Sequence, residues 1–175
     1  MKERMENAYT ETMFLLKKYN ITANKSLGQN FLIDDDVINK TVDSAEITNE
    51  DLVIEIGPGL GTLTSRLLEK AKKVIAIELD KKMIKILQER FSLYSNFELI
   101  NEVLKVNLKE LIKKEKEENK IKDVKIVANL PYYITTPIIM KLLEDKLDIK
   151  SITVMVQKEV AQRLAAKPGE KLAGA

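Results

Sequence analysis

Val53-Ile54-Glu55-Ile56-Gly57-Pro58-Gly59-Leu60-Gly61 constrains the fold of this chain more than any other stretch. A β-branched run from Leu52 to Ile56 reads as a buried strand. It breaks into three glycines within five residues, a turn that ordinary side chains rarely accommodate. Ile75-Ala76-Ile77-Glu78-Leu79-Asp80 follows, a second apolar strand ending in an acid. A strand, a glycine turn, a helix and a second strand make the opening unit of a parallel sheet.

The rest of the chain continues the alternation. Met5 to Tyr19 places Met5, Ala8, Tyr9, Thr12, Met13 and Leu16 on one helical face. Asn20 to Gln29 reads as a loop, and Asp34-Asp35-Asp36 as the acidic start of a helix reaching Ala45. Helices are expected over Thr62 to Lys70, Lys81 to Phe91, Pro137 to Glu144 and Lys158 to Ala166. Strands are expected over Lys73 to Leu79, Phe97 to Ile100, Lys125 to Leu130 and Ser151 to Gln157. Leu108 to Lys120, dominated by Lys and Glu, reads as an exposed helix end or mobile connection. The fold class is α/β, a doubly wound, mostly parallel sheet in a single domain over residues 1–175.

Composition narrows the chemistry. The chain has no cysteine and no histidine, so it lacks thiolate zinc sites, disulfides and the commonest general base. Carboxylates, amides, aromatics, backbone groups or a bound cofactor must do the work. No metal is implied. Net charge is +2, which is not that of a strongly basic nucleic-acid binder. Lys17, Lys18, Lys25, Lys70, Lys72 and Lys73 are candidates for a local basic face, although solvation is the simpler reading. No stretch is long and apolar enough to span a membrane, and the N-terminus has no signal-peptide pattern, so a cytoplasmic protein is expected.

In parallel sheets, ligands sit beyond the carboxyl ends of the strands. Gly57, Gly59 and Gly61 lie there, with Glu78 at the end of the next strand, where an acid can bond both ribose hydroxyls of a nucleoside. The Gly-Pro-Gly-Leu-Gly spacing departs from the dinucleotide fingerprint and lacks its helix-packing glycine. S-adenosylmethionine therefore fits better than NAD. Glu55, inside the strand, is expected to bond N–H groups of the turn or to face the charged end of the cofactor.

Asn129-Leu130-Pro131-Tyr132 follows the fourth strand. The Asn129 side-chain carbonyl and the Leu130 backbone carbonyl are suited to accept N–H bonds from an adenine amine and aim its lone pair at a methyl group. Pro131 stiffens the turn and adds no competing N–H. Tyr132 offers a face on which an unstacked base can stack, a contact of ~1–3 kcal/mol. A sulfonium methyl needs no histidine base, so positioning carries the catalysis.

With these residues in place the chain resembles the ribosomal RNA adenine dimethyltransferases, particularly the small-subunit (16S) branch known for kasugamycin sensitivity. The resemblance rests on Ser26-Leu27-Gly28-Gln29-Asn30-Phe31-Leu32, on the Glu55 to Gly61 stretch, and on Ile77-Glu78-Leu79-Asp80 and Asn129-Leu130-Pro131-Tyr132. It also rests on Val156-Gln157-Lys158-Glu159-Val160-Ala161-Gln162-Arg163-Leu164. This last segment and the glycine turn argue against the related large-subunit (23S) macrolide-resistance methylases. The resemblance implies a Rossmann-like class I methyltransferase fold and S-adenosylmethionine as donor. It implies N6,N6-dimethylation of two adjacent adenosines in the 3′-terminal hairpin of 16S rRNA, with a role in small-subunit biogenesis. Asn30 and Leu32 would touch the methionine end of the donor, Gly57 would lie beneath it, Glu78 would hold the ribose, and Asn129 would sit at the transfer point.

The family pattern has an Asp for the donor adenine where this chain carries Glu102. It continues, after the fifth strand and its helix, into further strands and a helical RNA-binding domain. The chain is accordingly expected to be a truncated catalytic domain, with a helical extension over residues 1–50 carrying a cofactor-contacting loop at 25–33. Its fifth strand would be an uncovered edge open to self-association. The competing functions are a 23S methylase and a weakly active RNA-associated assembly factor that keeps the donor pocket.

Overall fold

The computed structural model describes residues 7–22, 34–101, 107–129 and 132–155. Their elements run α1 (Ala8–Lys18), α2 (Asp35–Ser44), β1 (Leu52–Ile56), α3 (Thr62–Lys70), β2 (Lys73–Ile77) and α4 (Lys81–Arg90). There follow β3 (Phe97–Ile100), α5 (Leu108–Glu118), β4 (Val124–Asn129), α6 (Tyr132–Glu144) and β5 (Ser151–Met155). The final helix expected over Lys158 to Ala166 lies outside the described residues, as does the end of the fifth strand beyond Met155.

The five strands form one sheet in the order β3-β2-β1-β4-β5, and every pairing is parallel. The chain walks outward from β1 to β3, then crosses back to place β4 on the other side of β1. The strand order therefore reverses between β1 and β4. A crevice opens at the carboxyl ends of the strands wherever such a reversal occurs.

Strand alternation divides the core in two. Val53, Val74 and Val127 face α2, α3 and α4, where they pack with Ile38, Leu63, Leu67 and Leu87. Leu52, Ile54, Ile56, Ile75, Ile77 and Ile126 face the other way, towards Ile112 of α5 and Leu142 of α6. Both faces of β1 are covered, and its apolar residues are fully buried, as expected for a central parallel strand. β5 is the terminal strand among the described residues, and its side chains are only half-buried.

Three elements differ from the sequence expectation. In α1 the buried residues are Ala8, Glu11, Thr12 and Leu15, while Tyr9 and Met13 are exposed. The packed face is rotated because Glu11, a charged residue, is paired inward with Arg66 and Arg90. Residues 108–118, expected as an exposed helix end or a mobile connection, are a regular helix that is partly buried. Ile112 and Glu115 of α5 are buried, and Glu115 receives Lys73 Nζ at 2.6 Å, which ties the charged run to β2. α6 begins at Tyr132, five residues before the expected start, with Pro137 inside it. The proline costs one intrahelical bond, but the apolar contacts of Ile138 and Leu142 keep the helix continuous. No helix of the described residues is long and apolar enough to cross a membrane.

At the amino end of the sheet, Lys125 Nζ lies 2.8 Å from Asp51 Oδ2, with side-chain exposures of 8% and 1%. Lys125 also donates to the Glu46 carbonyl. Removing one partner leaves a buried charge unpaired. Lys125→Met is expected to destabilise the fold by roughly 3–5 kcal/mol, read from the urea midpoint. A midpoint unchanged from wild type would mean that Asp51 rehydrates.

Candidate functional site

The sequence-selected residues at the carboxyl edge form a row. Ile56 of β1 pairs with Ile77 of β2 and with Ala128 of β4, so Gly57, Glu78 and Asn129 occupy the next position on three adjacent strands. Two bonds prolong the register past the strand ends: Gly57 N donates to the Ile77 carbonyl at 3.0 Å, and Glu78 N to the Ile100 carbonyl at 2.9 Å. The row spans the reversal between β1 and β4. Residues as far apart in sequence as Glu78 and Asn129 flank Gly57 there because parallel pairing places strand ends side by side.

Glu78 does more locally than the sequence suggests. Its Oε1 accepts the Gly59 amide at 3.1 Å. Its Oε2 accepts the amides of Leu79 at 2.7 Å and Asp80 at 3.0 Å. The carboxylate thus ties the glycine turn to the end of β2. These bonds take three of about four acceptor positions, so a ribose diol docking here must share or displace one of them. Burial pushes the Glu78 carboxyl above its ordinary value, despite the three backbone bonds that favour the ionised form; Asp80 adds to the rise.

Two glycines in the turn have different reasons to be glycine. Gly59 has φ +58°, and a Cβ built on it would meet nothing within 4 Å. Its outer face is open, which suits the close approach of a ligand. Gly61 has φ +88°, and its Cβ would fall 2.6 Å from the Phe91 ring. It caps α3 with no side-chain bond to the first turn, leaving that end of the helix polar towards the crevice. Gly61→Ala is therefore expected to lower the melting temperature sharply. Gly59→Ala is expected to cost only about 1–2 kcal/mol of backbone strain while weakening ligand binding at the turn. Comparing thermal melts with binding isotherms for the two variants checks this division; similar stability losses would contradict it.

Glu55 is fully buried. The sequence suggested bonds to N–H groups of the turn, but its described partner is the hydroxyl of Thr64 on α3, which donates to Oε1. Strand alternation puts Glu55 on the same face as Val53, towards α3, where Thr64 reaches it. Its Oε2 has no hydrogen-bond partner among the described residues. Burial raises its pKa to about 8; the Thr64 bond opposes the rise and the charge of Glu78 adds to it. Folding therefore takes up a proton at this carboxyl. The associated stability is complete below the ordinary value of 4.5 and is lost as pH rises through about 8. Glu55→Gln is expected to flatten the fall in stability between those limits. Equal pH slopes in denaturant titrations of the two proteins would refute the burial argument.

Asn129 closes β4 and is half-buried. Tyr132 is the first residue of α6, but its side chain lies outside the described part. Asn30, Leu32, Glu102, Leu130 and Pro131 are likewise outside the described residues. Two neighbours of the row were not signalled by the sequence. Leu79, next to Glu78, is 56% exposed, an apolar side chain at the mouth of the crevice. Arg90, at the end of α4, donates to the Leu60 carbonyl inside the turn; only its distance in space reveals this. A separate cavity of about 480 Å³ lies between α5 and α6, bordered by Ile56, Leu108, Ile138 and Leu142. It touches neither Glu78 nor Asn129 and is distinct from the row.

Comparison with known proteins points the same way as the geometry. The sequence model described as "Ribosomal RNA adenine dimethylase" matches residues 20–175. The chain is 55% identical over 161 residues to "Ribosomal RNA small subunit methyltransferase A" of Clostridium botulinum (strain Okra / Type B1), covering 91% of this chain and 56% of that protein. It is 53% identical to the protein of the same description in Bacillus mycoides, over 91% of this chain and 54% of that one. The chain thus spans little more than half the length of these relatives. Among solved structures it is similar to a dimethyladenosine transferase from Plasmodium falciparum (TM-score 0.63, 34% identity, 78% of this chain and 46% of that one). It is also similar to the 23S rRNA methyltransferase ErmE (TM-score 0.62, 30% identity, 76% and 50%).

Proposed function

Because the chain belongs to the ribosomal RNA adenine dimethylase family, we propose that it carries the donor site of an enzyme that methylates adenosine N6 in small-subunit ribosomal RNA. The substrate is two adjacent adenosines of the 3′-terminal hairpin of 16S rRNA, each methylated twice, in the cytoplasm where small subunits mature. The observation that carries this reading is the row of Glu78, Gly57 and Asn129 at adjoining strand ends. The relatives matched at 55% and 53% identity bear small-subunit names, whereas the likeness to a 23S enzyme is at 30% identity. This supports the small subunit as target.

S-adenosylmethionine, when bound, supplies a methyl group already activated by its sulfonium. The open outer face of Gly59 and the half-buried carboxylate of Glu78 fit its nucleoside. Glu78 receives the ribose hydroxyls, Leu79 offers an apolar edge to the base, and Gly57 and Gly61 let the backbone turn beneath the donor. Asn30, Leu32 and Glu102 complete the donor contacts in this proposal. On the acceptor side, the Asn129 side-chain carbonyl and the Leu130 carbonyl take the two N–H bonds of the adenine amine. The nitrogen lone pair would thereby be directed at the methyl; as the N–C bond formed, the S–C bond would break with its electron pair going to sulfur, releasing S-adenosylhomocysteine, and the amine proton would leave to solvent. Pro131 stiffens this turn and Tyr132 stacks on the extruded base. Correct placement alone contributes roughly 7–11 kcal/mol to such a reaction.

Calorimetry with S-adenosylmethionine on wild type and Glu78→Ala tests the donor half; an unchanged affinity would remove Glu78 from the site. Methyl incorporation into immature small subunits tests the acceptor half. Asn129→Ala is expected to lower kcat by roughly 10²–10³ with little change in donor affinity. Methylation confined to large-subunit RNA would overturn the substrate, and donor binding without transfer would favour an assembly factor. β5, the terminal strand among the described residues, is also proposed to pair between copies. Sedimentation at rising concentration is expected to show mass growth, and a constant monomer mass would exclude it.

A further inference from the structure

We infer that Arg90 is a positioning residue for the glycine turn, locked in place by Glu11 of α1, so that the N-terminal helix helps to set donor affinity. The inference rests on the reading of that turn as the donor site. Arg90 is the last residue of α4, whose other end is capped by Asp80 beside Glu78. One arm of its guanidinium, Nη1, donates to the Leu60 carbonyl. The other, Nη2, reaches Glu11 Oε1 at 2.6 Å.

Glu11 is only 7% exposed, a burial that requires paired charge. Its Oε2 takes Arg66 Nη1 at 3.2 Å, and the same Arg66 nitrogen donates to the Thr62 carbonyl. The carbonyls on either side of Gly61, those of Leu60 and Thr62, are therefore each held by a guanidinium, and both guanidiniums converge on one carboxylate. Arg66 Nη2 also lies 3.5 Å from Asp35 Oδ1. Asp35 in turn accepts the Ala8 amide on both oxygens, at 3.2 and 3.1 Å. α1 and α2 are thus joined to the turn through charge-assisted bonds, which are stronger than neutral ones.

The side chain of Leu60 repeats the connection apolarly, packing with Leu15 of α1 and with Met83 and Ile86 of α4. A three-glycine turn has high conformational entropy, and a peptide plane moves as one unit. Holding the Leu60 carbonyl therefore also orients the Gly61 amide, which donates to the Pro58 carbonyl at 3.0 Å. In this way the clamp sets the shape of the turn that Gly59 presents to a ligand. Arg90 touches the turn from below and is assigned no contact with donor or substrate.

The test compares wild type, Arg90→Met, Arg90→Lys, Glu11→Gln and a destabilised control, Lys125→Met, at a temperature where circular dichroism shows each to be folded. Affinity for S-adenosylhomocysteine is measured by calorimetry, and amide hydrogen exchange at Gly59 and Gly61 in the free proteins. Arg90→Met is expected to weaken binding about tenfold and to speed exchange at both glycines. Arg90→Lys and Glu11→Gln should fall between it and wild type, and Lys125→Met should match wild-type affinity. If Arg90→Met does not fold, the two milder variants carry the test. Wild-type affinity and exchange in the folded Arg90 and Glu11 variants would overturn the inference, as would an equal loss in Lys125→Met. If wild type itself bound no S-adenosylhomocysteine, the donor reading would fall; slow glycine exchange that depends on Arg90 would still establish the clamp on the turn.

Discussion

Everything at the carboxyl edge depends on the Glu78 carboxylate. It holds the Gly59 amide on one side and the Leu79 and Asp80 amides on the other. A glycine turn alone would sample many shapes. Bonded to the neighbouring strand end, it presents one. The same carboxylate marks the ribose position in the proposed donor site. Shape and recognition are therefore joined in one side chain, and the ligand must compete with the protein's own amides for it.

The electrostatics of the edge follow from burial rather than from net charge. Burial pushes both the Glu55 and the Glu78 carboxyls up, and the charge of Glu78 further disfavours ionisation of Glu55. Positive charge is kept outside this pair: Arg66 and Arg90 are turned towards Glu11 and towards backbone carbonyls. A cationic sulfonium suits a crevice edged by the Glu78 carboxylate, with both guanidiniums engaged elsewhere.

The strands were legible because β-branched runs bounded by glycine and acids have few other structures available. β1 and β3 match their expected limits residue for residue, as does helix α3. Periodicity misled at α1, where Tyr9 and Met13 were assigned to the packed face and Glu11 is packed instead. Hydrophobicity patterns treat a carboxylate as solvent-facing, and only its partners, 55 and 79 residues away, reverse that. The Lys/Glu run of α5 was opaque for a similar reason: buried Glu115 is paired with Lys73, a residue of β2. In sequence Pro137 reads as a helix start, although packing against the sheet tolerates one missing N–H within α6.

By itself the sequence determined the order of elements, the parallel α/β class, the turn at Gly57 to Gly61 and the residue types available for chemistry. These are local properties, written in periodicity, glycine placement and the absence of histidine and cysteine. The tertiary structure alone decided that β4 crosses back to lie beside β1, which brings Asn129 next to Gly57, on the side opposite Glu78. It also decided that Glu55 faces Thr64 and that Arg90 grips the turn through Glu11. Those contacts join residues far apart along the chain, and pairing of that kind is set by packing the whole sheet rather than by any local signal.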